Sequence, residues 1–69
     1  MTPHRWVVLG KLSRQPLDVT APAWIVGRWQ ATVTACRDLC AAGLATVGGN
    51  TYTVTEAGRT AWAAHVSNG

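Results

Sequence analysis

Apolar side chains recur at helical spacing from the start of the chain: Trp6, Leu9 and Leu12 share one face with Val8 beside them, while Arg5 and Lys11 point elsewhere. This pattern predicts a first helix over 3–13, with Thr2 as N-cap and Pro3 at the first helical position, where a missing N–H costs nothing. Gly10 weakens that helix slightly. The period breaks at Arg14-Gln15-Pro16. Leu17 and Val19 then alternate around Asp18, as in a short strand or extended connector that pairs with a later hairpin. Thr20 is placed to cap a short second helix over 20–26, with Pro22 in its first turn, Trp24 as its core anchor and Gly27 as its stop.

Arg28-Trp29-Gln30 reads as a turn into a third helix over 30–42. Val33, Cys36, Leu39 and Cys40 fall on its inner face; Gln30, Ala31, Thr34, Ala35, Asp38 and Ala41 fall on its outer face, with Arg37 on the flank. Gly43 closes this helix, because a residue without Cβ adopts the left-handed conformation that lets the chain change period. Two short strands, 44–47 and 51–54, flank Gly48-Gly49-Asn50 and form a hairpin spanning 44–54. Thr55 caps a last helix over 56–66. There Glu56 sits at the positive end of the helix dipole, and Gly58, Ala61, Trp62 and His65 make the inner stripe.

Two segments carry a family pattern: Leu39-Cys40-Ala41-Ala42-Gly43-Leu44, a leucine-x-x-x-glycine-leucine turn, and Thr55-Glu56-Ala57-Gly58-Arg59 after the hairpin. In these the chain resembles the winged helix-turn-helix domains of MarR-type and PadR-type transcriptional regulators. The resemblance implies an α+β fold: a small winged helix-turn-helix over 1–69, with a three-helix core, a two- or three-stranded β-wing and a C-terminal helix. It implies a DNA-binding regulator whose third helix enters the major groove of double-stranded DNA with the wing on the backbone. A homodimer built on the first and last helices would read half-sites roughly 34 Å apart.

Composition narrows the function classes. With 48% hydrophobic residues and four tryptophans among 69 residues, the chain is expected to fold as one small globular domain. The formal charge of +3 favours anionic partners without a dense basic patch. The absence of an apolar run near the ~20 residues of a membrane span makes the cytoplasm the expected compartment, with no membrane partner.

Catalysis is not expected. Asp18, Asp38 and Glu56 fall on a connector, an outer helix face and a first helical turn, and neither His4 nor His65 lies in a nucleophile motif. Cys36 and Cys40 are neighbours four apart on one helix, but only His65 offers a third ligand where a structural zinc needs four, so packing is the expected role and no metal or cofactor is implied. Trp6, Trp24 and Trp62 fit helical core stripes, whereas Trp29 is placed either to pack inward or to present a flat face.

DNA recognition needs cations and N–H groups near phosphates and side chains that reach base edges. Arg28, Gln30, Thr32, Thr34 and Arg37 supply those types around the third helix, with Trp29 beside them. Asn50 at the wing tip and Arg59 after it are the candidate backbone contacts. The competing reading is a protein-interaction module in the same fold, for example a phage or mobile-element protein acting on a host factor without sequence-specific DNA binding. Alanines 31, 35 and 41, the anion Asp38 and a tip without Arg or Lys motivate it.

Overall fold

The computed structural model describes residues 1–20 and 29–68, Trp29 by its backbone alone. They form a small α+β domain of three helices and a three-stranded antiparallel sheet. Helix α1 covers Pro3–Arg14, and the Thr2 hydroxyl accepts from Arg5 N at its start. It ends one residue later than expected, where Gln15 turns extended (φ −162°, ψ 153°) ahead of Pro16, as the residue before a proline must when the helical region is closed to it. The expected second helix over 20–26, with Trp24, lies outside the described residues.

Strand β1 (Leu17–Asp18) pairs with β3 (Thr51–Val54), which also pairs with β2 (Ala45–Gly48), giving the order β1-β3-β2. The extended connector is thus the third strand of the sheet. The Gly48↔Thr51 pair leaves Gly49 and Asn50 as the two-residue turn, and only Gly49 has positive φ (60°), the pattern of a type II′ turn with glycine first. The Asp18 carboxylate accepts from both the amide and the hydroxyl of Thr20, which hold it below the usual carboxylate range. These bonds fix the chain where it leaves β1.

The third expected helix is α2, Trp29–Ala41, and the last is α3, Glu56–Asn68. Between α2 and β2 the chain closes on a paired-bond helix stop: Leu44 N donates to Leu39 O and Gly43 N to Cys40 O, with Gly43 at φ 77°. The start of α3 docks on this stop. Thr55 N donates to Leu44 O, the Thr55 hydroxyl donates to Gly43 O at 2.8 Å, and Gly58 N donates back to the Thr55 hydroxyl. A Cβ on Gly58 would fall on the Leu44 carbonyl oxygen and lie 2.8 Å from Val54 Cγ2. The two segments that carry the family pattern are therefore one interlocking corner, and their residues serve its geometry.

The core is mostly aliphatic. Val8, Leu9 and Leu12 of α1 meet Leu17 of β1, Cys36 and Leu39 of α2, and Tyr52 and Val54 of β3. Alternation along β3 turns Tyr52 and Val54 inward and Thr53 outward, as the period-two reading requires. Trp6 and Trp62, expected as core anchors, are only half-buried and pack on the core's edge. Trp62 lies across Gly10, where a Cβ would stand 2.7 Å from its ring; this glycine, costly to the helix by propensity, makes room for the indole. His65 is exposed rather than inward, yet its ring stacks on Trp6 at 3.9 Å and 7°, tying the C-terminal part of α3 to α1. Among the described residues no helix is long and apolar enough to cross a membrane.

Candidate nucleic-acid interface

Helix α2 is held by one side. Thr32, Ala35, Cys36 and Leu39 are buried, which commits that face to the core and turns the opposite face outward. Gln30, Thr34, Arg37 and Ala41 are exposed there, spaced four, three and four apart, so they form a single stripe along the helix. Three sequence expectations need correction: Val33, expected on the inner face, is half-buried outside the core cluster. Thr32 is 3% exposed and cannot meet a ligand from that position, and Ala35, expected outside, belongs to the core. Both are small, so the buried arc of α2 extends past the large apolar positions. Arg37, expected on the flank, stands in the middle of the exposed stripe.

Val33 lines a shallow groove with Gln30, Thr34 and Arg37 on one flank of the stripe. On the other flank Gln30, Thr34 and Asp38 line a second groove with His4 and Arg5 from the start of α1. Within it Arg5 Nη2 donates to Asp38 Oδ2 at 2.7 Å, with side-chain exposures of 37% and 38%. An ion pair so open adds little stability, about 0–1 kcal/mol. Its effect is electrostatic: the anion on this face carries its own counter-cation. Sequence reading missed Arg5, because the pair joins residues 33 apart and appears only once α1 and α2 are packed. The Nε2 atom of His4 is buried without a partner among the described residues.

The remaining candidates lie elsewhere. Asn50 is exposed at the hairpin tip, its carbonyl accepting from Val19 N, and Arg59 is exposed in the first turns of α3. Arg28 and the side chain of Trp29 lie outside the described residues. Gln30, Thr34 and Arg37 are thus the three predicted residues that share one face.

The thiols have little chemistry to offer. Burial, with a smaller contribution from Cys40, pushes Cys36 up to about 11, and burial raises Cys40 as well, which disfavours the thiolate that nucleophilic attack requires. Among the described residues there is no group of three or more His, Cys, Asp and Glu side chains that could hold a metal ion. No family model, curated protein or solved structure matches the chain.

Proposed function

We propose that the chain is a winged helix-turn-helix DNA-binding protein acting in transcriptional regulation, with α2 as the recognition helix and the β2–β3 hairpin as a short wing. The observation that carries this reading is the exposed stripe Gln30-Thr34-Arg37-Ala41 on a helix whose opposite face is fully committed to the core. A helix fits the major groove, where Gln bonds adenine bidentately, Arg bonds guanine, and Thr and Ala methyls meet the thymine methyl. The order helix, hairpin, helix and the charge of +3 support the same reading. So does the Arg5–Asp38 pair, which offsets the anion that would otherwise oppose phosphate.

The second reading, a protein-docking module, draws on the hairpin: Val47 is 54% exposed next to a tip without a cation. Arg37→Ala separates the two. Under the DNA reading it lowers affinity for a bound duplex about tenfold, the loss of one base or phosphate contact, with an unchanged circular dichroism spectrum because Arg37 is exposed. Equal affinity for wild type and variant in a fluorescence-anisotropy titration would remove α2 from the interface.

A further inference from the structure

Resting on the DNA-binding reading, we infer that the Arg5–Asp38 pair is a specificity-determining unit that reads a single G·C base pair in the major groove. The hydrogen bond between them uses one guanidinium N–H and one carboxylate oxygen. The Arg5 guanidinium keeps further donors and the Asp38 carboxylate keeps Oδ1, and among the described residues neither side chain has a second partner. Both side chains are more than a third exposed and open onto the groove that Gln30 and Thr34 also line. A pair this exposed contributes little to folding, so holding its two ends together has its main consequence for what meets that face.

Chemical complementarity points to the ligand. The 2.7 Å bond from Arg5 Nη2 to Asp38 Oδ2 holds a donor group and an acceptor group side by side. The major-groove edge of a G·C pair presents the matching order: the N7 and O6 acceptors of guanine, then the N4 amino donor of cytosine. The guanidinium meets guanine while Oδ1 accepts from cytosine. Asp38 alone would be repelled by the phosphates, and Arg5 alone would leave cytosine unread. Arg5 comes from α1 and Asp38 from α2, so the unit exists only in the folded domain.

The test is selection of bound duplexes from a randomised pool by the wild-type protein, Asp38→Ala and Asp38→Asn, each first checked for a folded spectrum. For wild type, one position should favour G·C over A·T by about tenfold or more. Both variants should reduce that ratio below about threefold, while the other positions and the salt-sensitive binding to unrelated DNA persist. Three results overturn the inference: variants that select the same base at every position, variants that weaken all sequences equally, or a wild-type preference for A·T at the affected position. Retention of no duplex by the wild-type protein would overturn the DNA-binding reading itself. Retention with an unchanged motif would overturn the Arg5–Asp38 assignment alone.

Discussion

Gly58→Ala is expected to destabilise the domain by about 3 kcal/mol or more, enough to unfold much of a chain this small. Helix propensity alone predicts the opposite, since alanine within a helix is favoured over glycine by about 1 kcal/mol. The sign is decided by what the new methyl would strike. It would fall on the Leu44 carbonyl oxygen, a backbone atom held as acceptor for Thr55 N, with Val54 Cγ2 closing the other side. Leu44 cannot retreat without breaking the bond from its own amide to Leu39 O that terminates α2. Relief therefore requires α3 to lift from the corner, with loss of the Thr55 bonds to Gly43 and Gly58. Urea unfolding followed by tryptophan fluorescence measures the change directly. An unchanged or raised midpoint would show that α3 does not seat on the α2–β2 turn in this way.

Trp62→Ala should cost about 2 to 4 kcal/mol, the lower part of the range for losing a large aromatic, because the ring is half-buried. The loss is specific in origin: the indole lies across Gly10 and beside His65, whose ring centroid is 5.8 Å away, so its removal loosens α3 on α1 and leaves the Trp6–His65 stack between them. A double-mutant cycle exposes the contact. Gly10→Ala in the wild-type background drives a methyl into the ring and destabilises, whereas in the Trp62→Ala background the obstacle is gone and the same change stabilises by about 1 kcal/mol through helix propensity. Thermal melts of the four proteins give the result. A Gly10→Ala effect of the same sign in both backgrounds would rule out the packing of Trp62 on Gly10.

Local chemistry was legible in the chain. Thr2-Pro3, the glycine at 43, the turn after 48 and the alternation around Tyr52 each specify a few neighbouring dihedral angles, and the helices and strands among the described residues begin and end within two residues of where these signals place them. Long-range packing was less so. Apolar periodicity weights residues by size, so it placed Val33 inward with Cys36 and Leu39 and passed over Thr32 and Ala35, which are small and buried. Large size points to the core for Trp6 and Trp62, but among the described residues aliphatic side chains fill most of the interior and these two pack half-buried at its rim. For the candidate face, Gln30 and Thr34 followed from helical spacing alone. Arg5 did not, since its partner Asp38 lies on another helix.

The family pattern shows the same division. Gly43, Leu44, Thr55 and Gly58 engage one another at the corner, so the residues behind the resemblance serve to join a helix, a hairpin and a following helix. They carry no base-reading side chain. Under the proposed DNA-binding reading, function rests instead on the outward stripe of α2, where the residues differ in kind from those at the corner.

Binding of the purified protein to a labelled genomic fragment pool at about 50 and 200 mM salt tests the central claim, that α2 and the hairpin form a DNA interface. Contact with about three phosphates predicts retention at the lower salt and an affinity about fortyfold weaker at the higher. No retention at low salt, or retention indifferent to salt, would contradict the account and point to docking on a protein.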